Sequence, residues 1–249
     1  LAKQVAERFE RVDGRTWGMS GLETWLGLDE AGRGSVIGPM AVAAVWVPAG
    51  RAEELAALGA RDSKQVPREQ RAAVLARIEA VAFHSRVVLV PPERIQDDTL
   101  TRLELEAFAA LIGERPADRI FLDVPAPPRG IARFLEALEH RVGRPLPLVG
   151  ENRADQTYPI VGAASILAKV TRDRELDALR EAYGDVGWGY PGEPRVKRFL
   201  EEWYRREGCF PPVVRSRWST AREIAAALDQ GRLFGGQPNP AERTRSSER

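Results

Sequence analysis

Apolar and polar positions fall into blocks whose lengths separate strands from helices. Residues 25–29 (WLGLD) and 36–47 (VIGPMAVAAVWV) are short apolar runs on either side of AGRGS, and they read as two strands joined by a hairpin or a bulge. Pro39 cannot donate to a ladder, so it predicts an edge or a bulge for the second strand. Leu75, Ile78 and Val81 recur at helical spacing behind Pro67, a good first-turn residue, and predict a helix over 67–82. A third strand is expected at 83–90 (FHSRVVLV), amphipathic helices at 101–113 and 130–142, and short strands at 119–124 (RIFLDV) and 146–149 (LPLV).

Residues 159–182 form a long helical pattern in which VGAASILAKV precedes a charged stretch, and its small residues predict close packing on a sheet. Strands and helices that alternate after an initial antiparallel pair predict an α/β sandwich, with helices on the faces of a mixed sheet. Beyond Gly184 a Gly/Pro/aromatic loop, GDVGWGYPGEPR, leads to helices near 194–206 and 219–229, separated by a Pro-Pro break at 211–212. The chain thus divides into an extension over 1–20, a sheet domain over 21–184, a helical appendage over 185–229 and a tail over 230–249. The tail is Gly, Pro, Ser and Arg with almost no apolar content and is expected to be disordered. Met19 stands just before the first strand-like run, so residues 1–18 are expected to be dispensable and not native.

Composition narrows the chemistry. Hydrophobic residues at 43% and charged residues at 29% describe an ordinary folded core. No apolar run approaches the ~20 residues of a membrane span, and the charged first residues do not resemble a signal peptide, so a cytoplasmic protein is expected. Cys209, His84 and His140 are the chain's whole supply of soft or borderline zinc ligands, one short of a structural site. With 36 Asp and Glu available, any catalytic metal is expected to be a hard cation on oxygen, Mg²⁺ or Mn²⁺. A net charge of +1 is too balanced for coating nucleic acid, so contact with a polyanion must be local. Such an excess exists over 194–217, where seven basic residues face three acidic ones, although a solvated helix face looks similar.

Four acids stand where strands meet turns. Asp29 and Glu30 end the first strand at DEAGRG; they point to opposite faces unless the backbone bends, which Gly32 and Gly34 allow. Taken alone, such a pair is more often a solvated strand end. Asp123 closes the apolar FLDV, where a buried carboxylate needs a partner or a metal. Asp155, in ENRAD, fits a first-turn or capping acid as well as a ligand, and Asp173 reads as an ion-pair residue beside Arg172 and Arg174. Strand-end acids without a histidine cluster suggest two-metal phosphoryl transfer.

DEAGRGSVIGPM, DSK at 62–64, FLDV, RADQTYPIVGAASILAKVTRDR, GYPGEP and VRSRWST follow one another as in type 2 ribonuclease H, ribonuclease HII, and resemble its archaeal and eukaryotic catalytic-subunit branch. The resemblance spans roughly residues 25–220 and implies an RNase H-like mixed five-stranded sheet flanked by helices. It also implies hydrolysis of the RNA strand of RNA–DNA hybrids and cutting 5′ to a single ribonucleotide in duplex DNA, leaving 5′-phosphate and 3′-hydroxyl ends. The family's catalytic, metal-binding acids map onto Asp29, Glu30, Asp123 and Asp155. Its clamp on the ribose 2′-hydroxyl maps onto Gly32, Arg33 and Gly34, and its junction-reading tyrosine onto Tyr190. Lys64, Arg153 and Lys169 match basic positions near the substrate. The chain departs from the pattern at Arg153, which keeps the charge, and at Val196, which lacks a hydroxyl expected near a phosphate.

Independently of the resemblance, close backbone approach at glycines suits a sugar whose 2′-hydroxyl distinguishes RNA from DNA. A junction resolvase, a type 1 hybrid nuclease and a non-cutting scaffold subunit are the rivals. The GRG turn and GYP loop speak against the first two and the intact acids against the third. The expected partners are RNA–DNA hybrid and ribonucleotide-containing duplex DNA, with no membrane and a monomeric chain. Residues 230–234 (QGRLF) faintly resemble a sliding-clamp-binding peptide without its terminal aromatic pair, and a frayed helix end is the simpler reading.

Overall fold

The computed structural model describes residues 9–12, 15–18, 23–60 and 66–235. Strands β1 (Phe9–Val12) and β2 (Arg15–Gly18) pair antiparallel in a two-stranded sheet inside the expected N-terminal extension. The main sheet contains β3 (Thr24–Ala31), β4 (Met40–Pro48), β5 (His84–Val90), β6 (Arg119–Asp123) and β7 (Leu148–Glu151) in the order β5-β4-β3-β6-β7. β3, β4 and β5 pair antiparallel, whereas β6 lies parallel to β3 and β7 parallel to β6. This is the expected mixed five-stranded sheet, with β3 at its centre.

Helices cover both faces: α1 (Ala52–Ala57), α2 (Arg68–Val81), α3 (Pro92–Asp97), α4 (Leu100–Glu114), α5 (Ile131–Val142), α6 (Ala154–Thr157) and α7 (Pro159–Tyr183), then α8 (Pro194–Glu207) and α9 (Ser219–Gly235) beyond the sheet. Strand alternation sorts the core. Ala31, Ala43 and Val45 pack with α2 and α7 on one face, while Leu26, Leu28 and Trp46 pack with α4 and α5 on the other. A third cluster joins Val36 and Ile37 to Val196, Leu200 and Val214 of the C-terminal region.

The small residues of α7 bring it onto the sheet as expected. A side chain at Gly27 would collide with the backbone of Ile160, and one at Gly162 with the carbonyl of Ala60. Other expectations need correction. Pro39 does not put β4 at an edge, because the strand starts at Met40 and lies between β5 and β3; the proline precedes the ladder and costs it no bond. The strand expected at 146–149 runs over Leu148–Glu151. The last helix extends through Gly235, into the expected disordered tail, whose remainder at 236–249 lies outside the described residues. Val196 is fully buried, so a hydroxyl there would face the core and not a phosphate.

Candidate active site

The parallel strands β3, β6 and β7 present their C-terminal ends along one sheet edge, the place where open α/β sheets bind ligands. The first two end in acids, Asp29-Glu30 and Asp123, and β7 runs into the turn that carries Arg153 and Asp155.

Asp29 is 5% exposed and lies on the α7 face, where the Ser165 hydroxyl and the Lys169 ammonium act on it. Burial nevertheless pushes its carboxyl up to about 7, and the charge of Asp123 adds to the rise. Glu30 faces the α4 side. It is held well above the usual carboxylate range by burial first, then by Asp29, Glu104 and Asp123, with Arg33 opposing. Its buried Oε2 has no hydrogen-bond partner among the described residues. The Asp123 carboxylate accepts the Arg153 N–H at 2.8 Å, a bond made possible by the left-handed backbone of Arg153 at φ 60°. Asn152 fastens the same turn by donating to the carbonyls of Val124 and Ala126, each at 2.7 Å. Asp155, 2% exposed, follows in the first turn of α6.

Asp29, Glu30 and Asp123 are therefore joined electrostatically, and Asp155 lies two residues past the backbone anchor of Asp123. Among the described residues no three His, Cys, Asp or Glu side chains are already gathered into a cage for an ion. The donor set still fits a hard divalent cation. It is all oxygen, crowded with like charge, and includes the partnerless Glu30 Oε2 that burial otherwise penalises.

The turn leaving β3 takes its shape from Gly32. Its φ is +83°, and a Cβ there would overlap the Arg172 side chain, whereas Gly34 has open space around it. Arg33 is held by Glu104 of α4 at 2.6 Å. Tyr190 stands 40% exposed on the loop before α8, with the Arg172 guanidinium 5.0 Å from its ring centre. Lys169 donates to Ser165 at 2.7 Å beside Asp29. Arg153 is exposed, and Lys64 lies outside the described residues.

Asp173 does not pair with its sequence neighbours. It bridges to Arg68 at 3.1 Å and Arg71 at 3.4 Å on α2, because adjacent helix positions point apart while α2 packs alongside. Arg215 is fully buried and drops out of the basic patch over 194–217. Sequence reasoning missed Glu104, Ser165, Arg172 and Arg215 as parts of the site. Glu104 had a signal, since it lies on the buried stripe of α4 with Phe108 and Leu111. Ser165, Lys169 and Arg172 also share one helix face by spacing.

The family profile of ribonuclease HII matches residues 26–221. Ribonuclease HII of Pyrococcus furiosus is 39% identical over 204 residues, covering 81% of this chain and 91% of its own. The crystal structure of the ribonuclease H2 from Pyrococcus horikoshii superposes with a TM-score of 0.76 at 36% identity, covering 83% of this chain and 99% of that one. The ribonuclease HII of Archaeoglobus fulgidus, solved as a complex with PCNA, superposes with a TM-score of 0.71 at 36% identity, covering 79% and 95%. With the acids at the sheet edge, the glycine turn and the tyrosine loop in place, the chain belongs to the ribonuclease HII family and is a type 2 ribonuclease H, an enzyme with RNase H activity on RNA–DNA hybrids.

Proposed function

We propose that this enzyme cuts 5′ to a single ribonucleotide in duplex DNA as well as within hybrids, by two-metal phosphodiester hydrolysis that leaves 5′-phosphate and 3′-hydroxyl ends. Asp29, Glu30, Asp123 and Asp155 would hold Mg²⁺ or Mn²⁺. Two such ions, when bound, supply an activated water and neutralise charge on the leaving 3′-oxygen. Asp29 and Glu30 offer oxygens from the two faces of β3, and with Asp123 they would supply oxygen donors to such ions. Lys169 keeps Asp29 oriented through Ser165 and offsets part of the acidic charge.

Backbone groups of Gly32, Arg33 and Gly34 meet the ribose 2′-hydroxyl, and the Tyr190 ring stacks on the sugar that follows. Arg153 and Lys169 would meet the phosphates, a role that the family resemblance extends to Lys64, which lies outside the described residues. The observation that carries this reading is the bond from the Val36 N–H to the Gly189 carbonyl at 2.8 Å, which ties the segment carrying the sugar-reading turn to the loop carrying Tyr190, beside the acids. Removal of misincorporated ribonucleotides and of RNA primers, in the cytoplasm and by a monomer, are the roles such a cut would serve. PCNA binding by the Archaeoglobus fulgidus relative makes a sliding clamp a candidate partner. Residues 230–234 continue α9 and lack the aromatic pair, so we leave that contact unassigned unless a clamp pull-down loses its signal on deletion of 230–249.

The test is the purified chain with Mg²⁺ or Mn²⁺ on three substrates: a duplex with one ribonucleotide, one with several, and a continuous hybrid. Cleavage of all three with 5′-phosphate products is expected. Cleavage of the hybrid alone would overturn the single-ribonucleotide reading.

A further inference from the structure

Two guanidinium groups lie buried behind the substrate-reading turn, outside the chemistry described so far. Arg215 is 0% exposed and Arg172 is 2% exposed, a rare burial for arginine unless it is paired. Arg215 is paired with backbone: Nη2 donates to the Gly32 carbonyl at 2.8 Å, Nη1 to that of Arg33 at 2.9 Å, and Nη2 and Nε to that of Gly38 at 3.0 and 3.2 Å. Arg172 Nη2 spans two segments. It donates to the Ser35 hydroxyl at 2.7 Å on one side and to the Trp188 carbonyl at 3.0 Å on the other.

The segments also meet directly. The Gly189 carbonyl accepts from Val36 at 2.8 Å and Ile37 at 3.3 Å. Gly189 has φ +80°, and a Cβ there would stand 2.6 Å from the Ile37 carbonyl oxygen, so glycine is what allows this approach. Tyr190, the next residue, has its ring 5.0 Å from the Arg172 guanidinium, within cation–π reach.

Peptide geometry gives the arrangement a direction. In a planar trans peptide the C=O and the following N–H point opposite ways. With the Gly32 and Arg33 carbonyls turned inward to Arg215, the N–H groups of Arg33 and Gly34 turn outward. The buried guanidinium thus decides which polar groups the turn offers.

We propose that Arg172 and Arg215 are positioning residues: Arg215 pins the carbonyls of the 32–38 turn, and Arg172 ties that turn to the 188–190 loop, so that the ribose-reading backbone and the Tyr190 ring keep a fixed spacing. The consequence for specificity rests on the substrate reading above, whereas the coupling of the two segments does not. Lysine cannot replace either residue, because a point ammonium lacks the planar fork that reaches carbonyls on several sides.

The test compares full-length Arg172→Lys and Arg215→Lys, with Ser35→Ala as a milder variant that removes one acceptor of Arg172 and leaves both guanidinium groups in place. Hydrogen exchange of the metal-free, substrate-free protein comes first. Arg172→Lys is expected to speed exchange at least ~10-fold in peptides covering 32–38 and 186–192 together, Arg215→Lys chiefly in 32–38, and Ser35→Ala by a smaller factor in both segments, with 100–114 unchanged. For Arg172→Lys, faster exchange in one segment alone, or spread evenly over the protein, overturns the coupling. Should the lysine variants fail to fold, Ser35→Ala decides, with a smaller rise in the same two segments.

Kinetics come second. kcat/KM on a single-ribonucleotide duplex is expected to fall at least ~10-fold more than on a continuous hybrid. Equal losses would reduce the two arginines to core support. If the wild-type chain leaves the single-ribonucleotide duplex uncut, the substrate reading fails, and the exchange result still decides the coupling.

Discussion

The acid edge and the arginine bracket lie back to back, and both bury charge, but they treat it in opposite ways. At the edge, like charges crowd together: burial and mutual repulsion raise Asp29 and Glu30, and Glu30 Oε2 has no partner among the described residues. Behind the turn, the guanidinium of Arg215 reaches three carbonyls, and only burial and the nearby Arg172 lower its basicity. A buried charge with its partners in place holds a shape. A buried set of like charges costs stability until a cation arrives, which is what a metal-dependent site needs.

Removing charge from the edge breaks the comparison most. Asp29→Asn or Asp123→Asn is expected to lower turnover at least ~1000-fold while substrate binding is largely retained, since the amide keeps the size but not the charge. Single-turnover assays at saturating Mg²⁺ check this, and activity within tenfold of wild type would reject the assignment. Asp155→Asn is expected to lower turnover at an unchanged melting temperature.

The same edge should carry a pH signature. The Asp29 carboxyl titrates near 3.8 when unfolded and at about 7 in the fold, so the folded state increasingly pays for its ionisation as pH rises through that window. The metal-free enzyme is therefore expected to lose stability, on the order of a few kcal/mol, as pH rises from about 4 to about 7. Asp29→Asn should reduce that slope, the raised carboxyls of Glu30 and Glu104 carrying the rest, and saturating Mg²⁺ should restore wild-type stability at pH 7. A metal-free melting temperature that rises over this window would contradict the crowding.

Tyr190 sharpens the comparison at the substrate. A backbone clamp senses one ribose but cannot report that the next sugar is DNA, and an aromatic ring against that sugar can, because a second hydroxyl would crowd it. Its 40% exposure beside the turn suits that use. Tyr190→Ala is expected to lose ~10-fold more kcat/KM on a single-ribonucleotide duplex than on a hybrid, about 1.4 kcal/mol of differential transition-state binding. Equal losses would make it a packing residue.

What sequence makes legible here follows distance along the chain. Strand-end acids announce themselves because an apolar run such as FLDV breaks on a charge, and α7 because its small residues repeat at helical spacing. The five-stranded sheet followed from that alternation together with the family resemblance. Pro39 misled because a proline just before a strand and one within it look the same without the ladder. Arg172 was read as an ion-pair partner of Asp173 and Arg215 as part of a basic patch, because the acceptors in the 32–38 turn lie more than 130 positions away, which no local pattern displays. The reading of 230–235 as disordered followed composition, and the structure continues α9 there.

Asp173 tests the contrast at its weakest point, an acid paired outside the edge. Its carboxylate is 17% exposed and meets Arg68 and Arg71, whose side chains are 30% and 15% exposed, so solvent screens the pair only in part. Arg68 also stacks on Trp188 at 3.1 Å, with Arg180 on the ring at 3.8 Å, so the bridge steadies the loop that leads to Tyr190. Asp173→Asn should therefore cost stability and not chemistry: about 1 kcal/mol, or a melting temperature lower by roughly 2–4 °C in a chain of this size, with turnover per folded molecule unchanged. Thermal melts and active-site titration on the same preparation separate the two quantities. A fall in turnover at constant melting temperature would move Asp173 into the acid edge and displace Asp155 from it, because only a carboxylate held by arginines for shape can lose its charge without touching the reaction.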